Sequence, residues 1–326
     1  MGRIVAWVLG SAIGAGAVVG CAGGVLPPQA VPALVMAPAD RRAALADGGL
    51  RAETVAAPAG PLRVYVGGRG PIVVLVHGSG GQAGDWYRIV PALSRCYRLL
   101  VPDLPGHGES APVEGPLPVA GLAAAVGAAI DELAPDAKVT LVGNSLGGWV
   151  SLLYAAQHPE RIGRVVGIDS SGIFAPLPVS LRPTNRDEAK RLALVVRGPS
   201  APQPDDAEAD VIVAGIAAGP AARLVAGLRA EDFLEKQAGA IQLPVDLLWG
   251  EEDGLLVPDY GRKLAALLPD ARFRLLPKSG HMAQVWSPET LLPVLLEVLA
   301  APAGTHAATM PAVALPAPTA IPSPAP

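Results

Sequence analysis

Cysteine is nearly missing from this chain, with two in 326 residues, Cys21 and Cys96. Two cysteines cannot build a disulfide framework, nor supply the ligands of a structural zinc. Basic charge is not in excess either. Lys and Arg number 25 against 29 Asp and Glu, giving a net charge of −4 and a pI near 5.8. Nothing electrostatic therefore draws the chain to nucleic acid. Aromatic residues are few, at 4%. Alanine is abundant instead, which reflects compositional bias more than function. Apolar residues are plentiful, 51% against 17% charged. That is enough for a large core, and an α/β unit of about 250 residues can be one domain.

Long hydrophobic runs are also scarce. Ile4 to Val19 is apolar and rich in Gly and Ala but short for a membrane span, and Arg3 precedes it. Residues 1–21 therefore read as a secretory signal. The stretch ends in Val18-Val19-Gly20-Cys21, which resembles a bacterial lipobox: small residues before a cysteine that is lipidated and becomes the mature N-terminus. On that reading Cys21 is the lipidation site and Cys96 a lone thiol. The product is then exported to the cell envelope and anchored to a bacterial membrane. An ordinary signal peptide, giving a secreted or periplasmic product, or an uncleaved anchor helix are the alternatives. Gly10, Gly14 and Gly16 do not form a nucleotide loop, because no strand precedes them. Residues 22–38 are rich in Pro, Ala and Gly and read as a tether. From Ala301 the chain is almost wholly Ala, Pro and Thr, so 301–326 is expected to be a disordered tail.

Between these ends, 39–300, strands and helices alternate. Leu50–Ala56 and Leu62–Val66 read as an antiparallel hairpin around Pro58-Ala59-Gly60-Pro61. Pro71-Ile72-Val73-Val74-Leu75-Val76 is a continuous β-branched run, the pattern of a strand buried on both faces. A helical stretch near Trp86–Leu93 leads to a strand over Tyr97–Val101. A helix over Val119–Leu133 leads to a strand over Lys138–Val142. Further strands are expected at Val165–Ile168, Val245–Trp249 and Ala271–Leu276, with helices at Pro258–Leu268 and Pro288–Ala300. Such alternation predicts an α/β fold, a mostly parallel central sheet flanked by helices. Residues 172–240 break the rhythm with six prolines between Pro176 and Pro204 and helical pieces at Arg186–Val196, Ala207–Ala218 and Ala221–Leu234. An insertion of this size between two sheet strands predicts a helical lid.

The chain is organised around Gly143-Asn144-Ser145-Leu146-Gly147, a G-x-S-x-G turn between a strand and a helix. A serine on so tight a turn needs small neighbours, because backbone packs close on both sides. The helix that follows aims its first N–H groups at the space where negative charge would develop.

A serine hydroxyl is a poor nucleophile until a base takes its proton, and the base needs an orienting acid. In open sheets these follow in the order Ser, acid, His, at the carboxyl ends of strands. Of five histidines, His306 lies in the tail and His158 ends the helix after Ser145. His77 and His107 precede the serine in Gly-containing loops, whose backbone they are expected to hold. His281 alone follows a late strand and is the base. Asp253 is favoured as the acid, after the strand ending at Trp249, and Asp169 is the alternative. Glu251 and Glu252 are expected to be solvated. The oxyanion hole would use the backbone N–H of Leu146 and one from Ser79 or Gly80.

His77-Gly78-Ser79-Gly80, Asp103-Leu104-Pro105-Gly106-His107-Gly108-Glu109-Ser110, Gly143-Asn144-Ser145-Leu146-Gly147-Gly148, Trp249-Gly250-Glu251-Glu252-Asp253 and Gly280-His281 stand in this order. The chain thus resembles the α/β-hydrolase fold family over roughly residues 50–300. Within the family, Asn144 to Gly172 and the His-Gly-Ser-Gly loop are similar to esterases and to hydrolases of meta-cleavage products. Ser145 argues against the dehalogenases and epoxide hydrolases, which place Asp there. The resemblance implies a serine hydrolase with a small-molecule ester substrate and no metal or organic cofactor. Carbon–carbon hydrolysis, or a catalytically silent lipid-anchored binding protein, are the alternatives. The lid and nucleophile region offer apolar side chains: Phe174, Phe233, Leu146, Trp149 and Met282. Arg182, Arg186, Lys190 and Arg191 form a basic cluster on the lid, read as a solvated helix face. Oligomeric state is not readable from the sequence.

Overall fold

The run Ile72-Val73-Val74-Leu75-Val76 becomes a central strand, and its alternate residues supply two different cores. Val74 and Val76 enter one buried cluster, Val73 and Leu75 the other. Period-two alternation in a strand covered on both faces demands this. The computed structural model describes residues 36–306, apart from 113, 218 and 303. The signal, lipobox and most of the tether lie outside the described residues.

The sheet has eight strands: β1 (Arg51–Ala57), β2 (Gly60–Gly68), β3 (Ile72–Val76), β4 (Arg98–Pro102), β5 (Val139–Asn144), β6 (Ile162–Ile168), β7 (Val245–Gly250) and β8 (Ala271–Leu276). Their spatial order is β1-β2-β4-β3-β5-β6-β7-β8. β2 pairs antiparallel with β1 and β4, and every later pairing is parallel. The fold is thus an α/β sheet of the expected kind.

The helices are α1 (Pro38–Ala43), α2 (Val90–Leu93), α3 (Val119–Leu133), α4 (Leu146–Gln157), α5 (Arg186–Arg197), α6 (Asp206–Ala217), α7 (Pro220–Gly227), α8 (Pro258–Leu267), α9 (Ala283–Trp286) and α10 (Pro288–Ala300). Val126 of α3, Val150 of α4 and Leu264 of α8 pack on one face of the sheet. Leu93 of α2 and Leu291 and Leu295 of α10 pack on the other.

Four local expectations are corrected. The helix near Trp86–Leu93 is a 3-10 turn, Ala83–Trp86, followed by the single turn α2. Pro91 has no N–H with which to continue a helix through this stretch. The lid helix expected over Ala221–Leu234 ends at Gly227, where a Cβ would sit 2.6 Å from the Leu117 carbonyl carbon. Beyond it the chain forms 3-10 turns, because Leu234 gives its N–H to the Gly172 carbonyl (2.8 Å) rather than to a helix.

The third correction concerns the tail, which is anchored as far as residue 306. Arg164 is 2% exposed and donates to the carbonyls of Val298, Pro302 and Thr305. A buried guanidinium needs acceptors, and the end of α10 with the residues after it supplies them. His306 then sits between Asp246 (2.8 Å) and Asp270 (2.9 Å). The fourth concerns Cys96, expected to be a lone thiol, which is not a free cysteine.

Candidate active site

Ser145 stands between β5 and α4 at φ 54° and ψ −118°. A non-glycine residue there is strained by about 1–3 kcal/mol and persists only where its surroundings impose it. The surroundings are the glycines. A Cβ on Gly147 would lie 2.1 Å from the Val76 carbonyl oxygen, and one on Gly143 2.2 Å from that of Gly147. One on Gly148 would meet the Ser170 hydroxyl at 2.4 Å, and one on Gly78 the Ser145 Cβ at 3.2 Å. Gly143 and Gly147 thus mark places where two backbone segments touch, and Gly148 and Gly78 leave room for the Ser170 and Ser145 side chains.

His281 follows β8 and Asp253 follows β7, both buried. His281 Nδ1 lies 2.7 Å from Asp253 Oδ2. Asp253 Oδ1 accepts from the backbone N–H groups of Leu255 (2.8 Å) and Leu256 (2.9 Å), which fixes the carboxylate. With Nδ1 engaged, Nε2 is the nitrogen His281 can offer to the cavity that it lines together with Ser145. Gly280 has a steric purpose, because a Cβ there would strike the Arg197 carbonyl at the end of α5 at 2.2 Å. That close approach lets His281 donate its backbone N–H to the Val196 carbonyl (2.7 Å), so the lid is seated on the histidine loop.

Leu146 is the first residue of α4, where the N–H groups have no helical acceptor, and its side chain is buried in the core. Ser79 and Gly80 line the same cavity from the loop after β3. Gly80, at φ 74°, has open space where a side chain would be. The strand ends thus bring Ser145, His281, Asp253, Leu146 and Ser79 to one edge of the sheet. Cys21 lies outside the described residues.

Asp169, at the end of β6, is fully buried and accepts the Gly250 N–H at 2.7 Å. Burial and the neighbouring Asp253 hold its carboxyl well above the usual carboxylate range.

The other histidines of the motifs hold backbone. His77 Nε2 accepts the Leu104 N–H (2.9 Å), and its Nδ1 faces the Gly78 carbonyl (2.8 Å). Burial lowers its pKa to about 4. Burial also lowers that of His107 to about 3, and the His77 ring 5.1 Å away adds to this. Asp103 takes the N–H groups of Ala83 (2.6 Å) and Glu109 (2.8 Å), tying two loops together. Glu252, expected to be solvated, holds Ser200 of the lid through its N–H (2.9 Å) and hydroxyl (2.5 Å).

Residues the motifs did not single out complete the site. Asn144 Nδ2 donates to the carbonyls of His281 (2.8 Å) and Ile168 (3.1 Å), and its Oδ1 accepts from Gln284 (3.0 Å). The one sequence signal for Asn144 was its place beside the serine, and Gln284 had none.

The cavity measures about 680 Å³. Its apolar wall comes from Leu192, Ile212, Leu255, Met282, Val285 and Trp286. Trp149, Phe174 and Phe233 are not part of that lining. Trp149 instead stacks on Phe233 at 4.9 Å and donates to the Asp232 carbonyl (2.7 Å), clamping the lid to the core. The lid cluster is likewise absent from the lining. Arg186 and Lys190 pair with Asp206 and Asp210 across α5 and α6. The cations that do line the cavity are Arg41, Arg42, Arg88 and Arg197. Arg41 is paired with Asp85 (2.5 Å) and Arg197 with Glu208, whereas Arg88 is held by the Val285 carbonyl (2.7 Å). The stretch from Met36 to Arg42 thus forms one wall.

The chain belongs to the alpha/beta hydrolase fold family, whose pattern it matches over residues 71–203 and 218–288. It is 31% identical over 244 residues to a 2-hydroxy-6-oxo-6-phenylhexa-2,4-dienoate hydrolase of Burkholderia cepacia, covering 67% of this chain and 83% of that protein. It is also 31% identical to the pimeloyl-[acyl-carrier protein] methyl ester esterase of Edwardsiella ictaluri, over 69% of this chain and 92% of the esterase. The fold of a Bacillus subtilis carboxylesterase superposes with a TM-score of 0.63, covering 80% of this chain and 98% of that one at 21% identity.

Proposed function

We propose that this hydrolase cleaves a carboxylic ester of a small-to-medium apolar substrate through an acyl-enzyme on Ser145. The observation that carries the reading is one arrangement. A strained serine at a helix N-terminus shares a cavity with a histidine whose far nitrogen is held by a buried aspartate. His281 Nε2 takes the Ser145 proton as Oγ attacks the ester carbonyl, and Asp253 stabilises the imidazolium. The negative charge that develops on the substrate oxygen is met by the N–H of Leu146 and one from Ser79 or Gly80. Such donors are preorganised, and losing one costs about 10²–10³-fold in rate. His281 then returns the proton to the leaving alcohol, and water repeats the sequence on the acyl-enzyme.

The apolar wall supports an acyl chain that the site discriminates weakly, by about 1–3 kcal/mol per methylene at most. A second reading, carbon–carbon hydrolysis of a vinylogous diketone acid, is favoured by Arg88, a cation in the cavity with no carboxylate partner among the described residues. The Burkholderia relative also supports it. Steady-state assays with p-nitrophenyl esters of graded length and with a dienoate substrate separate the two. Turnover of the dienoate with little activity on p-nitrophenyl butyrate overturns the esterase reading. Labelling of Ser145 by a fluorophosphonate probe tests the nucleophile, and no labelling of the folded protein would favour a silent binding protein. We also propose, from residues 1–21, export to the cell envelope.

A further inference from the structure

We propose that Asp169 is held as a neutral carboxylic acid that donates its proton as a hydrogen bond to Asp253, and so acts as a positioning residue for the carboxylate that orients His281. The proposal rests on the roles given to Asp253 and His281 above.

Asp169 is fully buried at the end of β6, with φ 47° and its N–H on the Leu248 carbonyl (3.0 Å). Oδ1 accepts the Gly250 N–H at 2.7 Å. Oδ2 is buried and has no donor among the described residues. A buried carboxylate oxygen without a donor is costly, whereas a carboxylic acid turns that oxygen into a donor. The acceptor beside it is Asp253, which gives its own N–H to the carbonyl of the same Gly250 (3.2 Å) and whose charge acts on Asp169. Asp253 already receives three donors, from Leu255, Leu256 and His281. One negative charge is therefore well housed, and it sits on Asp253. A second charge on Asp169 would face it without a cation, and like charges so close cannot both ionise cheaply. Burial and the charge of Asp253 both raise the Asp169 carboxyl, against a smaller pull from the Gly250 N–H.

The proton count follows. The two carboxyl groups hold one proton and one negative charge between them. When His281 takes the Ser145 proton, the imidazolium faces a net charge of −1, and Asp169 keeps its proton throughout. Among the described residues, Asp253 is the charged group acting on Asp169, and His281 is felt through it. Asp169 thus holds the Asp253 carboxylate that orients His281.

The test compares Asp169→Ala and Asp169→Asn with the parent on p-nitrophenyl butyrate across pH. Alanine removes the donor and is expected to lower kcat about tenfold with little change in KM. The asparagine amide can donate to Asp253 and accept from Gly250, so it is expected to recover most of that loss with the acid limb of kcat/KM unmoved. If Asp169 were ionised, Asp169→Asn would instead remove a negative charge near His281 and shift the acid limb down by about one unit. That shift, or an alanine variant with parental kcat, overturns the proposal. Infrared spectra in D₂O read the proton without activity. A carboxylic-acid carbonyl band at neutral pH should be present in the parent and in Ser145→Ala, and missing in Asp169→Asn. A parent without the band overturns the proposal whatever the substrate is. The band without ester turnover overturns only the esterase reading. If the alanine variant does not fold, the asparagine variant and the band still decide.

Discussion

Asn144, the residue before the nucleophile, donates from Nδ2 to the backbone carbonyl of His281 at 2.8 Å. The histidine is thereby pinned on both sides, since its N–H is given to Val196 of the lid helix at 2.7 Å. Serine turn, histidine loop and lid are one hydrogen-bonded unit. A shift of the lid therefore reaches the base through its own backbone, with no need for a lid side chain to touch it.

Removing Ser145 or His281 should abolish turnover without unfolding the protein. Ser145→Ala and His281→Ala are expected to lower kcat by about 10⁴–10⁶-fold. Asp253→Asn should also be severe, because the amide presents the wrong group to Nδ1. Circular dichroism and kcat on a p-nitrophenyl ester check both parts. Ser145→Ala with more than a tenth of parental kcat would contradict the nucleophile assignment.

Asn144→Ala should damage both stability and rate. It leaves the His281 carbonyl and the Gln284 amide without their partner, each a buried polar group that costs about 1–3 kcal/mol when unpaired, while the Ile168 carbonyl keeps the Ser145 N–H (3.0 Å). We expect at least about 2 kcal/mol of lost stability in urea melts, with kcat reduced more than KM is raised. Gln284→Ala removes one of these bonds and should do less of the same.

Acid should destabilise the fold through His77 and His107 before it touches most carboxylates. Both rings are buried and neutral, with pKa values lowered from 6.5 to about 4 and about 3. A lowered folded-state pKa means that the unfolded chain binds more protons, so stability rises with pH. The contribution is complete above about pH 6.5 and is lost as pH falls towards the folded values. For His77 it amounts to roughly 3 kcal/mol. Melting temperatures measured from pH 7 to pH 4 should fall steeply, and His77→Gln should flatten the fall. A flat profile in the parent would contradict the neutral, buried assignment.

Sequence alone determined the α/β sheet, the order of its strands along the chain and the turn that carries Ser145. These are local properties: β-branched runs, 3.6-residue periodicity, and glycines at points where backbone touches backbone. The match between the Pro71–Val76 run and β3, or between Ala271–Leu276 and β8, needed nothing beyond neighbouring residues. Tertiary structure alone decided what depended on distant partners. It gave His281 Nδ1 to Asp253 and left Asp169 with the Gly250 N–H, a choice that two aspartates after two strands cannot express in sequence. It turned the basic lid cluster into ion pairs between α5 and α6, and it drew the cavity's cations from Arg41, Arg42, Arg88 and Arg197 instead. It sent Trp149 to clamp the lid, and it fastened residues after Ala301 to a buried arginine 134 positions from its first acceptor. In each case the deciding quantity was the burial of a polar group and the partner it then required. That is a property of the packed chain, and no window of sequence contains it.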